Sequence, residues 1–244
     1  MANNPMHQFE VHRIGPSLSI NGIDVSFTNS SLFMLISSIL IITFFMIGTR
    51  KVNIIPDKIQ LLNEIVFNFI SKMISETAGP KAKPYFPFIL TIFLFILTLN
   101  MIGLLPYAFT VTSQIIITFF LAVVIFIGVT VVGFAKNGIG FLKIFAPSGV
   151  PIFLFPIIVA IEIISFLSRP VSLSVRLFAN MLAGHTMLKV FGGFVVSLGI
   201  IGGWLPLSFS VALTALEILV AFLQAYVFAV LSCIYLNDAL NMHH

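Results

Sequence analysis

The sequence predicts an all-α polytopic membrane protein, with five transmembrane helices plus one interfacial amphipathic helix, the last two helices long, tilted and forming a hairpin. Three observations carry this expectation. Of the 244 residues, 59% are hydrophobic and 8% charged, whereas a soluble domain carries roughly 25% charged residues. Apolar runs of spanning length, about 20 residues for about 30 Å of hydrocarbon, recur between short basic loops. One further segment has its apolar residues at helical spacing rather than in a continuous run.

Residues 1–28 form a mixed, polar tail, with no basic region followed by an apolar one, so no cleavable signal is predicted. Residues 29–47 are the first span, stopped by Gly48-Thr49-Arg50-Lys51. In residues 57–78, Ile59, Leu62, Val66, Phe69, Met73 and Ile74 recur at three- and four-residue steps. Asp57, Gln60, Glu64, Asn68, Lys72 and Glu76 take the other side, which predicts a helix lying on the membrane surface. Residues 85–134 contain two spans whose short, uncharged connection at Pro106 predicts a tight antiparallel hairpin. Lys136-Asn137-Gly138, Lys143 and the prolines 147, 151 and 156 follow.

The last two blocks, 152–191 and 205–237, are too long for upright spans. Their apolar stretches would run about 54 Å and about 48 Å at 1.5 Å per residue. Pro170 offers a break in the first, and the second has no comparable breaker. Tilt is the better reading, with the turn at Gly192-Gly193 through Gly202-Gly203-Trp204. Together these elements make a single integral membrane domain.

Alternating the spans gathers Arg50, Lys51, Lys58, Lys72, Lys81, Lys83, Lys136 and Lys143 on one side, while the opposite side has only Arg13 in the tail. The positive-inside rule then predicts an outer N-terminus and an inner C-terminus. The net charge of +4 therefore reflects loops, not a nucleic-acid partner. The single cysteine, Cys233, excludes an internal disulfide.

Ionisable residues inside the last two blocks are few: Glu162, Arg169, Arg176, His185, Lys189 and Glu217. An arginine cannot shed its proton, and at bilayer depth it costs from about 2.5 to more than 10 kcal/mol. Glu162, Arg169 and Arg176 are spaced by seven and drift only about 20° per step. His185, nine residues beyond Arg176, falls on the other face. Glu217 and Gln224 share a face of the last helix, Gln224 near the depth of Arg176 and Glu217 nearer the outer side, like His185. Histidine and glutamate can exchange protons near neutral pH. No acid in the chain stands out as a permanent partner for Arg176, so its counter-charge is expected on another chain. Small residues line both helices, Ser165, Ser168, Ser172, Ala179 and Ala183 on one, and Ala221, Ala225, Ala229 and Ser232 on the other. Such faces let a neighbouring backbone approach closely, or pack statically within the chain. Arg169 and Lys189 read as cations snorkelling to the two surfaces, and Asn100 as a packing or capping group.

The segment from Arg169-Pro170-Val171-Ser172 through Val175-Arg176-Leu177-Phe178-Ala179-Asn180 to Ala183-Gly184-His185 resembles the signature of the subunit a family of F-type ATP synthases. Leu223-Gln224-Ala225-Tyr226-Val227-Phe228, the Ile234-Tyr235-Leu236-Asn237-Asp238-Ala239 tail, Ser26-Phe27-Thr28-Asn29, Leu104-Leu105-Pro106-Tyr107 and Val131-Val132-Gly133-Phe134 extend the likeness over nearly the whole chain. The resemblance implies a proton-channel stator subunit without an active site of its own, facing a ring of c subunits. Peripheral-stalk subunit b and the other membrane subunits of the complex would be further partners. It implies that Arg176 is the essential stator arginine and that Asn180 and Gln224 are its polar neighbours. His185 and Glu217 would serve the outer half-channel, and Glu162 an acidic position at the inner one, where a surface acid is the alternative. The His185/Glu217 order is similar to the mitochondrial and alphaproteobacterial branch, so a bacterial plasma membrane or a mitochondrial inner membrane is expected. No cofactor or metal is implied. A secondary transporter with internal repeats fits poorly, because no repeat is visible. A purely structural subunit leaves Arg176 unexplained.

Overall fold

The computed structural model describes residues 9–15, 19–20, 23–24, 26–50, 53–105, 108–145 and 153–240. Lys51, Pro106, Tyr107, Pro147, Pro151, His243, His244 and the Lys143 side chain lie outside the described residues. Near the start, a two-residue ribbon pairs β1 (Ser19–Ile20) with β2 (Ile23–Asp24). The tail is held to the bundle. Ile14 N–H donates to Phe27 O at 2.8 Å, and Gln114 Nε2 donates to Phe9 O at 2.7 Å.

Helix α1 (Asn29–Thr49) begins at Thr28, whose Oγ1 accepts from Ser31 N–H at 3.4 Å and so satisfies one orphan donor of the first turn. Helix α2 (Lys58–Thr77) has the expected spacing but uses it differently. Gln60, Asn63, Ile70, Met73 and Ile74 are buried, while Ile59, Leu62 and Phe69 are exposed. In its first half the helix turns amides toward α1. Asn63 lies over Gly48 and donates from Nδ2 to Phe44 O at 3.4 Å. A leucine could not use that carbonyl, and lipid tails are as apolar as leucine, so the displaced stripe loses little by facing outward.

Helix α3 (Phe86–Gly103) follows a 3-10 turn at Pro80–Tyr85, and α4 (Ile115–Asn137) follows another at Val111–Ser113. They do not pack side by side as the expected tight hairpin. They meet at points such as Phe88 against Gly128, while α3 packs chiefly on α6, and α4 on α5 and α6. The buried 3-10 turn, with Val111, Thr112 and Ser113 inside, widens the connection and makes room for the last helix.

Helix α5 (Phe155–Gly202) and α6 (Trp204–Leu240) have 48 and 37 residues. Pro170 does not break α5, although its missing N–H leaves Phe166 O without its helical donor. Nor does α5 stop at Gly192-Gly193. Ending a helix in hydrocarbon strands several backbone groups, which outweighs the roughly 1 kcal/mol penalty of a helical glycine. The departure comes later, at Gly199 (φ 60, ψ −161), a conformation open to glycine. Only Gly203 separates the two helices.

Among the described residues, five helices are long and apolar enough to cross a membrane, namely α1, α3, α4, α5 and α6. Their ends sort into two groups. Lys189 Nζ lies 5.9 Å from the Phe9 ring at one end, and at the other Asn137 Nδ2 donates to Ala239 O at 2.6 Å. The core lies around α6, where Ala221, Ala225, Phe228 and Ala229 are fully buried against Ile70, Phe93, Ile125 and Leu177 from the other helices.

Gly133 of α4 shows how tight this packing is, because a Cβ there would come within 2.6 Å of Cδ2 of the fully buried Phe141. Gly133→Leu is expected to destabilise the chain by about 1–3 kcal/mol through overpacking. A lower thermal midpoint of the detergent-solubilised protein is the readout. Gly128→Ala, whose Cβ would sit 3.4 Å from Phe88 Cζ, should shift that midpoint much less.

Candidate functional site

The polar residues of α5 divide by face. Arg176 and Asn180 are exposed, together with Ser165, Ser168, Ser172, Ala179 and Ala183. Leu173, Leu177, Met181 and His185 are buried. Nine residues at about 100° each is half a turn out of phase, so Arg176 and His185 leave the helix on opposite sides. Among the described residues Arg176 has neither a hydrogen bond nor an ion pair. The small face of α6 behaves in the opposite way, since Ala221, Ala225, Ala229 and Ser232 are all buried within the chain. Static packing explains the α6 row, and the α5 row remains open.

Between the two helices runs a polar seam. Glu217 and Gln224 on α6 are 8% and 7% exposed, and His185 on α5 is 7% exposed. Gly184 permits the seam. A Cβ at that position would collide with Glu217 Oε1 and stand 2.9 Å from its Cδ, so any side chain there would expel the carboxylate. Immediately beside it, His185 Nε2 is buried without a partner, as is Glu217 Oε2. An unsatisfied buried polar group costs about 1–3 kcal/mol, so atoms left this way usually serve a water or a ligand. Each is a buried atom on a side chain that can hold or release a proton.

Asn100 of α3 closes the seam from a third side. It is fully buried, and Nδ2 donates to Ala221 O at 3.2 Å, between the Glu217 and Gln224 turns of α6. That is the packing role expected of it, although Asn100 Oδ1 and Thr112 Oγ1 are also buried without partners. Glu162 is half-buried near the start of α5 and is not brought to His185 or Glu217. Among the described residues it has no hydrogen bond or ion pair.

Arg169 departs from the expectation of a snorkelling surface cation. Its Nη1 lies 3.1 Å from Asp238 Oδ2. Its Cζ sits 4.9 Å from the Tyr235 ring centroid and 5.4 Å from that of Phe166. Asp238 is the residue that reasoning from the sequence missed. A signal was present: antiparallel helices that put 184 beside 217 also bring 169 toward the final turns of α6. No group of three or more His, Cys, Asp or Glu among the described residues is arranged to hold a metal.

The ATP synthase A chain family model matches residues 31–237. The chain is 70% identical over 244 residues to ATP synthase subunit a of Pelagibacter ubique, with both chains fully covered. It is 56% identical over 247 residues to ATP synthase subunit a of Rhizobium rhizogenes, covering 99% of this chain and 98% of that one. The subunit a of Rhizobium meliloti is 57% identical over the same length and with the same coverage.

The close approach of Gly184 to Glu217 can be measured directly. In a Cys233→Ser background, Gly184→Cys with Glu217→Cys is expected to crosslink on mild oxidation, since a disulfide needs Cβ atoms about 3.5–4.5 Å apart. Arg176→Cys with Glu217→Cys is expected not to.

Proposed function

The chain belongs to the ATP synthase A chain family, and from that premise we propose that it provides two offset proton half-channels and the arginine that separates them. It is an integral membrane subunit of the proton-translocating F-type enzyme and has no catalytic site of its own. The rest of the proposal concerns residues and partners.

Protons enter from the outer side past His185 and Glu217 and reach a carboxylate on a ring of c subunits. Once neutral, that carboxylate can turn through lipid, where an ionised one would be too costly. It discharges on the inner side along a path near Glu162. Arg176 stands between the two paths with Asn180 on the same exposed face, while Gln224 belongs to the buried seam. As a fixed cation Arg176 attracts only the ionised carboxylate and blocks direct leakage. Each proton crossing the potential delivers about 2.3 kcal/mol per 100 mV, and rotation carries that energy to the catalytic head.

The observation that carries the reading is the open face of α5. Arg176 is exposed without a partner among small residues, whereas the comparable row on α6 is consumed by internal packing. A cation in lipid with room for a close neighbour fits a helix that brings a carboxylate. On this reading α5 and α6 form a strongly tilted hairpin along the ring, and α2 lies at the inner interface with Ile59 and Leu62 toward lipid. The basic residues put the N-terminus outside and the C-terminus inside. Subunit b and the remaining membrane subunits cover other faces.

Arg176→Ala is expected to abolish proton-driven ATP synthesis in reconstituted vesicles while the assembled complex persists. Near-normal synthesis would refute the proposal. Gly184→Val is expected to displace Glu217 and slow proton-driven synthesis by about tenfold or more, in the range that follows loss of a positioned proton-transfer group. Passive proton flow through complexes stripped of the catalytic head should fall in parallel.

A further inference from the structure

The sevenfold spacing gives α5 two arginines on nearly one face, about 10 Å apart along the axis. A gate that works by a single fixed cation has no use for a second. A rotor carboxylate leaving Arg176 toward the inner side would meet Arg169 next, and two successive cations would hold it ionised over two stations rather than one.

The structure treats the two guanidinium groups differently. Arg176 is exposed, with no ion pair among the described residues. Arg169 is folded onto the end of α6 between the Tyr235 and Phe166 rings, its Nη1 3.1 Å from Asp238 Oδ2. Its side chain is 22% exposed, that of Asp238 42%. Asn137 fixes the same turn of α6 by donating to Ala239 O at 2.6 Å, so the carboxylate is held on an anchored backbone. The aromatic rings take the flat faces of the guanidinium and the carboxylate takes an edge, which together use up its preferred contacts.

We propose that Asp238 is a positioning residue that neutralises Arg169 and leaves Arg176 as the only cation the moving carboxylate encounters. The inference rests on the stator reading above and adds to it the means by which one arginine, and not two, acts. Asp238 acts through Arg169, to which it is paired. At an effective dielectric constant near 20, an unpaired charge about 10 Å away changes an ionisation equilibrium by about tenfold. Freeing Arg169 is therefore enough to slow discharge of the rotor carboxylate on the inner side.

The test uses the complete ATP synthase reconstituted in vesicles, with proton-driven ATP synthesis normalised to assembled complex. Four forms of this chain are compared: unchanged, Asp238→Asn, Arg169→Gln, and both together. The expected result is a loss of about tenfold for Asp238→Asn, which frees a cation. Arg169→Gln and the double variant should stay within about twofold of the unchanged chain, because neither carries an unpaired charge. Recovery on deleting the second partner is something a mere structural tie cannot produce. If the double variant is as impaired as Asp238→Asn, or if Asp238→Asn has no effect, the proposal is overturned. Should Asp238→Asn fail to assemble, the double variant decides: assembly with near-normal synthesis supports neutralisation, and failure of both overturns it. Arg176→Ala run in parallel separates the two levels. Synthesis surviving that change sinks the stator reading itself, whereas its loss without the charge-deletion pattern sinks only the role of Asp238.

Discussion

A guanidinium at bilayer depth keeps its proton whatever surrounds it, and the geometry of the long helices follows from that constraint. A carboxyl or an imidazole in the same place could neutralise itself, but Arg176 has no such escape. Among the described residues no carboxylate is paired with it. Of the acids near the two helices, Asp238 is committed to Arg169 and Glu217 is turned into the seam on the far side of α5. The charge is therefore left on an open face among serines and alanines, where a neighbouring backbone can come close. At bilayer depth such a charge costs at least about 2.5 kcal/mol, and no ion pair among the described residues offsets it.

Packing elsewhere is the complement of that opening. Lipid supplies no hydrophobic drive between helices, so association depends on close fit and on polar contacts. Helix α6 has both. Ala221, Ala225, Ala229 and Ser232 are buried against the bundle, and Asn100 reaches its backbone from α3. Gly184 then brings α5 close enough for Glu217 to lie against it. The polar seam and the exposed arginine are thus on opposite sides of one helix.

Much of this was legible in residue order. Continuous apolar runs revealed the spanning helices, and the nine-residue offset separated Arg176 from His185. What sequence spacing could not reveal was which faces meet. Spacing predicted the apolar stripe of Ile59 and Leu62 on α2, which is exposed, but not that Asn63 would reach a carbonyl on α1 or that Met73 and Ile74 would pack into the core. Local brevity suggested that α3 and α4 pair, yet α6 is the principal partner of α3. Gly192-Gly193 looked like a turn by the habits of soluble proteins, where water takes up a freed backbone. Hydrocarbon cannot, so the helix runs on past them to the break at Gly199. Arg169 looked like a lone surface cation because its acid lies 69 residues away, visible only once the helices are set antiparallel.

The short turn from Gly199 to Gly203 joins α5 to α6, which makes the pair behave like the two scales of a vernier. Positions on each arm are counted outward from a common zero. Removing one residue from either arm moves everything beyond it by about 1.5 Å and swings it through about 100°. Glu217 would leave Gly184, and Asp238 would leave Arg169, in a single step. Insertions and deletions in these helices are therefore admissible only in matched sets that restore both distance and phase. Elsewhere, as in the tail before α1, length can drift without penalty to the seam.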